Sequence, residues 1–195
     1  MIKRIAITGG IGSGKTTVCK LFERMHVPVY YADVQAKMLM ETDKELASAI
    51  EKLFGSEAYD EGRLNRAHIA SLVFTNAHLL KTLNELVHPA VHIDFARWLA
   101  LHQHATYVLY ESALLYENDM ERNFDAVICV NAPEKIRIKR VMQRDGKSEE
   151  AVKAIMRNQL PAAVKKEKAD FLIENDGEQS LILQVQHVHQ LILSG

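Results

Sequence analysis

The 195-residue sequence is poor in cysteine, with two, and in proline, with four. Cys19 and Cys129 both lie in apolar stretches, so we expect small buried thiols in a reducing compartment rather than a disulfide. A net charge of −1 gives no indication of a nucleic-acid or membrane surface. No apolar run approaches the roughly 18 residues that a membrane helix needs. We therefore expect a globular cytoplasmic protein with no membrane, nucleic-acid or obligate protein partner.

Signature residues of two other classes are also missing. Neither Asn-Lys-x-Asp nor Asp-x-x-Gly occurs, so a GTPase switch lacks support. His88 and His92 are four residues apart, as zinc ligands on a helix can be, but no glutamate follows His88 and no third ligand is evident. His187 and His189 are two apart and cannot share a helical face. We therefore expect no zinc site.

One short stretch near the start carries most of the information. Residues 9–16, Gly-Gly-Ile-Gly-Ser-Gly-Lys-Thr, fit the phosphate-binding pattern G-x-x-x-x-G-K-[ST] without a mismatch. The apolar, β-branched run at residues 2–7 predicts a buried strand before it, and residues 17–22 have helical spacing after it. A P-loop needs this strand, loop and helix, so the motif and its context agree.

The residue types in this loop suit a polyphosphate. Glycines let successive backbone N–H groups point inward around an anion, and the following helix adds the positive end of its dipole. Lys15 would reach the outer phosphates as a mobile point charge, and the Thr16 hydroxyl would ligate a magnesium ion. The stretch predicts nucleoside triphosphate binding. The alternative is a glycine-rich turn that contains Lys-Thr by chance.

Further along the chain, short apolar runs predict strands, and the stretches between them have helical periodicity. The run at 126–130 is apolar throughout, which indicates a strand buried on both faces, as in parallel sheets. This alternation predicts an α/β fold in which a five-stranded parallel sheet is flanked by helices. The predicted strands are at 2–7, 29–31, 107–111, 126–130 and 171–173.

Between the second and third strands the pattern is helical almost throughout. We expect no strand across these about seventy residues, and hence a helical insertion rather than an ordinary crossover. Residues 42–45 fit a capping box with Thr42 as its first residue, opening the helix that ends at Phe54. The stretch Val87-His88-Pro89 should end one helix, with Pro89 as the first residue of the next.

Asp33 follows the second predicted strand, and the carboxyl ends of strands are where ligands bind in an open α/β sheet. Near a P-loop such a carboxylate could accept a proton from a substrate hydroxyl or help to hold a magnesium water shell. It could equally cap the helix that follows, because aspartate is common at that position. The residue alone leaves both interpretations open.

The helix that begins at Pro133 has a strongly basic face. Residues 135–157 contain eight lysines and arginines against three acids, in a chain that is almost neutral. Lys135 and Lys139 fit a solvated face. Arg140 and Arg144 are four residues apart and therefore share one side of the helix, where two guanidinium groups could clamp phosphoryl oxygens.

An ordered set of motifs resembles one family, the dephospho-coenzyme A kinases, from one end of the chain to the other. The P-loop alone indicates a superfamily, whereas the whole set is similar to this one member of it. The matching stretches are residues 8–16, 32–33, 86–89, 114–117, 140–145, 157–159, 169–170 and 175–177. Two positions depart from the family pattern: Tyr31 stands where members often have aspartate, and Ala113 where they often have proline.

The resemblance implies a P-loop NTPase-type core, a helical domain that holds dephospho-coenzyme A, and a small helical lid whose arginines close over ATP. The implied boundaries are 1–33, 105–139 and 169–195 for the core, 34–104 for the acceptor domain and 140–168 for the lid. It further implies that Asp33 is the general base for the ribose 3′-hydroxyl and that Arg140 stabilises the transferring phosphoryl group.

The P-loop pattern and the resemblance together predict the contact residues. The expected catalytic residues are Lys15, Asp33 and Arg140. The expected ATP contacts are Gly10, Ile11, Gly12, Ser13, Gly14, Lys15, Thr16, Thr17 and Arg144, and the expected acceptor contacts are Asp33, His88 and Leu114, with Thr16 as the magnesium ligand.

The reaction we expect is in-line transfer of the ATP γ-phosphoryl group to the ribose 3′-hydroxyl of dephospho-coenzyme A, with magnesium as cofactor. ATP and dephospho-coenzyme A would then be the ligands, and coenzyme A and ADP the products. Another P-loop small-molecule kinase, such as a nucleoside monophosphate or shikimate kinase, shares the core and is the nearest alternative. A non-catalytic ATP sensor is a further one.

Overall fold

The computed structural model describes residues 2–195, except for the side chains of Phe74, Thr75 and Ala77. Met1, the first residue of the predicted core, lies outside the described residues. The chain divides into two compact units. The first unit consists of Met1–Tyr31 and His102–Gly195, and the second of Ala32–Leu101.

The first unit contains both strands and helices, and helices dominate the second. The strands are β1 (Lys3–Thr8), β2 (Val29–Tyr31), β3 (Tyr59–Asp60), β4 (Arg63–Leu64), β5 (Tyr107–Glu111), β6 (Ala126–Asn131) and β7 (Phe171–Glu174). The helices are α1 (Lys15–Arg24), α2 (Ala32–Thr42), α3 (Lys44–Phe54), α4 (Arg66–Thr75), α5 (Ala77–Leu101), α6 (Glu134–Asp145), α7 (Glu149–Arg157), α8 (Ala162–Lys168) and α9 (Leu181–Ser194). Within residues 2–195, none of these helices combines the length and hydropathy needed to cross a membrane.

The first unit is built on a parallel sheet with the strand order β2, β5, β1, β6, β7. In the register of the central strand, Ile5 of β1 lies opposite Leu109 of β5 on one side and Ala126 of β6 on the other. β5 is buried along its whole length, as parallel strands covered on both faces are. The predicted α/β fold with a five-stranded parallel sheet is confirmed.

The pleat of β1 sends alternate residues to opposite faces of the sheet. Ile5 and Ile7 pack with Phe22 of α1 in the main apolar cluster, which α9 also joins. Ala6 packs on the other face, in a smaller cluster with Leu115. The P-loop therefore follows a strand that is fixed by apolar contacts on both sides.

Both cysteines are buried free thiols, as predicted. Burial raises the pKa of Cys129 to about 11 and raises that of Cys19 as well. Both thiols are therefore protonated at neutral pH, and they contribute to the core as small apolar side chains.

The second unit contains an antiparallel hairpin as well as helices, so the expectation of no strand in this region is wrong. β3 and β4 pair through Tyr59 and Leu64. Between them Glu61 and Gly62 have φ angles of +46° and +80°. Positive φ at both central residues is the geometry of the tight turns that join such strands.

α5 runs without a break through Pro89, so the predicted helix boundary at residues 87–89 is wrong. A proline inside a helix removes a hydrogen bond and costs about 3 kcal/mol or more. The buried residues of α5, however, recur every four positions on both sides of the proline, at Leu83, Val87, Val91 and Phe95. We infer that packing of this continuous stripe outweighs the cost of Pro89.

The start of α3 is capped by Asp43 and not by Thr42. The Asp43 carboxylate accepts hydrogen bonds from the N–H groups of Glu45 and Leu46, at 3.0 and 3.1 Å. Thr42 is the last residue of α2, and its hydroxyl donates to the carbonyl oxygen of Met38 at 2.9 Å. The predicted capping box therefore has the wrong first residue, because a threonine inside a helix turns its hydroxyl back to the preceding turn.

Candidate active site

The loop between β1 and α1 has a backbone that requires glycine. Gly14, the residue before α1, has φ +93°, and Gly12 has φ +77°. Both values lie in the left-handed region that glycine adopts without strain. A Cβ atom at Gly14 would also collide with Nδ2 of Asn175, and one at Gly12 with the backbone of Arg137. Conformation and space therefore both exclude larger residues here.

We expect Gly14→Ala to lower the free energy of unfolding more than Gly62→Ala. Both glycines have similar positive φ, so each substitution introduces backbone strain of about 1–2 kcal/mol. A Cβ at Gly62 meets nothing within 4 Å, whereas one at Gly14 must displace Asn175. Urea unfolding of the two variants measures the difference. Equal losses would show that the close approach of Asn175 carries no cost.

Lys15, the first residue of α1, is buried, with its side chain 10% exposed. Its Nζ donates to the carbonyl oxygen of Gly9 at 2.9 Å and lies 4.0 Å from Oε1 of Glu111, at the end of β5. The ammonium group is thus held against the loop in this structure, and its expected movement to the outer phosphates of a nucleotide stays a prediction. Sequence reasoning did not single out Glu111, although it ends a strand next to β1.

The surroundings of this loop are suited to a polar ligand. Thr16 and Thr17 lie in the first turn of α1 and are exposed. The first N–H groups of a helix lack intrahelical partners and carry the positive end of its dipole, which favours an anion. Among the described residues, the buried hydroxyls of Thr8 and Ser13 have no hydrogen-bond partner. Such groups are costly to bury. The start of α1, with its exposed threonines, favours an anionic ligand over an apolar one.

Arg140, on α6, places its guanidinium group at the loop. Nη1 lies 3.5 Å from the carbonyl oxygens of Gly12 and Ser13. Nη2 donates to the backbone oxygen and to Oδ1 of Asn175, at 3.1 and 3.2 Å. Asn175 in turn donates from Nδ2 to the carbonyl oxygen of Ser13 at 2.8 Å. Asn175 was not a predicted site residue, although it begins the last matching motif.

Arg144 does not accompany Arg140 at the loop. Its Nε and Nη2 donate to the two carboxylate oxygens of Asp145 at 2.7 and 2.9 Å, and its side chain is 64% exposed. This hydrogen bonding raises the pKa of Arg144. The structure therefore brings one of the two predicted arginines to the loop and leaves the other at the surface, paired with its neighbour.

Two further side chains hold the loop at Ile11, and sequence reasoning missed both. Arg137 donates from Nε to the Ile11 carbonyl oxygen at 2.9 Å, and Gln159 accepts from the Ile11 N–H at 2.8 Å. Arg137 is 7% exposed, and burial lowers its pKa. Its basic neighbours concealed this role. The available signal was its three-residue spacing from Arg140, which puts both on one side of α6.

The loop after β5, residues 112–117, is held by a buried lysine that the sequence did not single out. Lys165, on α8, is 1% exposed and donates from Nζ to the carbonyl oxygen of Ala113 at 2.9 Å. It also forms an ion pair with Oε1 of Glu117 at 2.8 Å. Leu114 is 39% exposed, and its N–H donates to Oγ of Ser112 at 3.3 Å. The loop thus presents an apolar side chain from a fixed backbone.

Asp33 and His88 belong to the second unit. Asp33 is exposed and is the second residue of α2, so it lies in the first turn and not at the capping position before the helix. An acid in the first turn interacts favourably with the helix dipole, which is one structural role for it. His88 lies on α5, and partial burial of its ring lowers its pKa. Among the described residues, no group of three or more His, Cys, Asp or Glu side chains could hold a metal ion.

Comparison with known sequences finds relatives over nearly the whole chain. A family model described as dephospho-CoA kinase matches residues 3–180. A dephospho-CoA kinase of Salinibacter ruber is 41% identical over 176 residues, which cover 89% of this chain and 88% of that protein. One of Bacteroides fragilis is 36% identical over 185 residues, which cover 95% of this chain and 90% of that protein.

Solved structures resemble the fold to different degrees. A Thermus thermophilus protein has a TM-score of 0.86 at 35% identity, over 99% of this chain and 97% of that one. The dephospho-CoA kinase of Campylobacter jejuni has a TM-score of 0.71 at 25% identity, over 98% of both chains. A shikimate kinase of Bacteroides thetaiotaomicron has a TM-score of 0.50 at 16% identity over 99% of both chains, a likeness of fold alone.

Proposed function

This chain belongs to the dephospho-CoA kinase family, and on that premise we propose that it transfers the γ-phosphoryl group of ATP to the ribose 3′-hydroxyl of dephospho-CoA. The products are coenzyme A and ADP. The observation that carries the proposal is the family match over residues 3–180, which includes the intact P-loop. The protein is accordingly an ATP-dependent phosphotransferase with an alcohol acceptor.

In the proposed reaction, the P-loop and Lys15 hold the β- and γ-phosphates of ATP. Three features support this role: the positive φ angles of the P-loop glycines, the start of α1 and the buried ammonium group of Lys15. Fixed donors act strongly on charge that develops in a water-poor site, because they need no reorganisation during the reaction. We propose that residues 10–17 contact the nucleotide.

We propose that Asp33 is the general base. Its exposed carboxylate, its position two residues after β2 and the family motif at residues 32–33 support this role. A base that takes the proton of the ribose hydroxyl as the oxygen attacks makes that oxygen a better nucleophile. We propose that His88 and Leu114 contact the acceptor.

A magnesium ion fits the residues at the start of α1. Thr16 offers an exposed hydroxyl beside Lys15, and magnesium binds oxygen ligands, usually one or two from the protein together with substrate phosphates and water. We propose that Thr16 holds the ion. When bound, the ion would neutralise charge on the phosphate oxygens.

We expect Arg140→Ala to lower kcat about 10²-fold, and to lower it more than it raises KM for ATP, while Lys139→Ala does neither. The Arg140 guanidinium contacts the P-loop, where it would stabilise charge on the transferring group. Lys139 is exposed and points about 100° away around α6. Steady-state kinetics of the two variants decide the matter. Equal effects would mean that the basic helix acts as a diffuse field.

We further propose that residues 140–168 act as a lid, with 1–33, 105–139 and 169–195 as the nucleotide core and 34–104 as the acceptor domain. Closure would exclude water, which would otherwise hydrolyse ATP. In the closed form, Arg144 would release the Asp145 carboxylate and donate its hydrogen bonds to a phosphate of ATP instead. We also propose a cytoplasmic location, which the two free thiols support.

A coupled ADP-release assay with ATP and a panel of acceptors tests the proposed function. We expect dephospho-CoA to accelerate ADP release far more than adenosine, a nucleoside monophosphate or shikimate. Phosphorus NMR of the product should find the new phosphate on the 3′-oxygen. Faster release with another acceptor would replace the proposed substrate, and no acceleration by any acceptor would overturn kinase activity.

A further inference from the structure

A short segment after α7 contacts both loops of the proposed active site. This segment, residues 159–165, is termed the strap. At one end Gln159 accepts a hydrogen bond from the Ile11 N–H of the P-loop, at 2.8 Å. At the other end Lys165 binds the loop at residues 112–117 through the Ala113 carbonyl oxygen and the Glu117 carboxylate. One continuous stretch of chain therefore joins the proposed ATP loop to the proposed acceptor loop.

The strap is also fixed to the loop at residues 112–117 between these two ends. The N–H of Leu160 donates to Oε1 of Glu117 at 2.8 Å, and the same oxygen pairs with Lys165. The Leu160 side chain packs against an apolar cluster that contains Leu115 and Tyr116. Backbone, apolar and ionic contacts thus all connect the strap to one loop.

At the P-loop end, Gln159 and Arg137 both form hydrogen bonds with the backbone of Ile11. Arg137 holds the Ile11 carbonyl oxygen while Gln159 holds its N–H, so the peptide groups on both sides of Ile11 are fixed. The Ile11 side chain packs against the cluster formed by Ile138, Val141 and Val152. In a phosphate-binding loop, successive backbone N–H groups point toward the bound phosphate. The orientation of one peptide group therefore affects the peptide groups that follow it.

The burial of Lys165 in an ion pair is weak evidence for a role in stability. A buried ion pair commonly gives no more stability than a well-packed apolar pair of the same volume, because both charges lose their water. The pair of Lys165 and Glu117 instead has a geometric result. It fixes the backbone of Ala113, next to Leu114, at a defined place relative to α8.

We propose that Gln159 and Lys165 are positioning residues, with Gln159 orienting the P-loop for ATP and Lys165 orienting the loop at residues 112–117 for the acceptor. The proposal rests on the proposed function, since it takes ATP and dephospho-CoA as the two substrates. If the two residues had only a structural role, each substitution would weaken the binding of both substrates or of neither. Positioning predicts that each substitution affects a different substrate.

The first arm of the test measures ATP binding by calorimetry without any acceptor. Gln159→Leu should raise the dissociation constant for ATP about 3–10-fold, as the loss of one hydrogen bond predicts, and leave KM for dephospho-CoA unchanged. Asn158→Leu is the matched control, because Asn158 is the exposed neighbouring amide. An unchanged ATP constant in folded Gln159→Leu would overturn the role of Gln159.

The second arm measures KM for dephospho-CoA. Lys165→Met leaves the Glu117 carboxylate without its cation, so Lys165→Met/Glu117→Gln, which removes both charges, is measured beside it. Either folded variant should raise this KM about tenfold with ATP binding unchanged, a tenfold shift being the loss of one to two such hydrogen bonds. Lys166→Met is the control, since it removes a partly exposed ion pair with Glu174 from the same helix.

Equal weakening of ATP and dephospho-CoA binding would show that the strap only stabilises the fold, and would overturn the proposal. Loss of fold in both Lys165 variants would have the same meaning. Failure of the proposed function is a separate result, visible in the wild-type protein as no transfer to dephospho-CoA. The ATP arm holds in that case, because it needs no acceptor. The second arm is then measured with the acceptor that the panel identifies.

Discussion

Lys15→Ala should lower kcat about 10²–10⁴-fold, the loss seen when a preorganised group that stabilises transition-state charge is removed. The Lys15 ammonium group lies at the phosphate-binding loop, between the Gly9 carbonyl oxygen and Glu111. Substitution removes a positive charge from a mostly buried position, where water replaces it poorly. Turnover at saturating ATP and dephospho-CoA measures the effect.

The same burial means that Lys15→Ala also affects folding, because Glu111 loses its cation. Lys15→Met keeps most of the side-chain volume, and Lys15→Met/Glu111→Gln removes both charges. We expect the double variant to recover stability in urea unfolding while it stays inactive. A Lys15 variant with wild-type turnover would refute the P-loop assignment, and activity that recovers with stability would show that Lys15 acts through folding.

Asp33→Asn should lower kcat by about 10²–10⁴-fold while ATP still binds, if Asp33 takes the acceptor proton. Asparagine keeps the size of the side chain and one oxygen that accepts hydrogen bonds, but it cannot act as a base. Because Asp33 lies in the first turn of α2, its carboxylate also stabilises the helix through the helix dipole, by about 0.3–1 kcal/mol.

Kinetics at saturating substrates and an ATP titration of Asp33→Asn separate the two roles. Asp43→Asn is a useful control, because Asp43 is a helix cap whose Oδ1 accepts two backbone hydrogen bonds that an amide oxygen can also accept. It should keep both activity and stability. Near-normal kcat in Asp33→Asn would refute the catalytic role, and loss of fold together with ATP binding would make Asp33 a structural residue.

The parts of the fold that follow from local patterns could be predicted from the sequence. The apolar run of β1, the glycines of the P-loop and the spacing of α1 each carry their own signal, so the loop and its strand were correctly placed. The predicted helix boundary at Pro89 was wrong because tertiary packing of α5 outweighed the local effect of proline. The helix-breaking tendency of proline is intrinsic, whereas the buried stripe of α5 exists only in the folded unit.

The missed site residues share a different cause. Lysine and arginine are exposed in most proteins, so nothing in the sequence distinguished buried Lys165 from its solvated neighbours. For buried Arg137 the spacing from Arg140 was the one available signal. Gln159 meets Ile11 across 148 residues, a contact that no local pattern reports. The available signal was that Gln159 belongs to a family motif. A sequence motif indicates that a residue matters, but it does not show which residue it contacts.

The strand order has a consequence for how the chain is made. Lys3 of β1 pairs with Tyr107, and β2 pairs with β5, so neither of the first two strands can enter the sheet before β5 has been synthesised. The second unit is continuous from Ala32 to Leu101 and is complete earlier. At about 5–20 residues per second, the ribosome releases that helical unit while β1 still lacks its neighbours. The loop that is translated first, whose contacts include Arg137, Gln159 and Asn175, is therefore among the last parts of the molecule to take its shape.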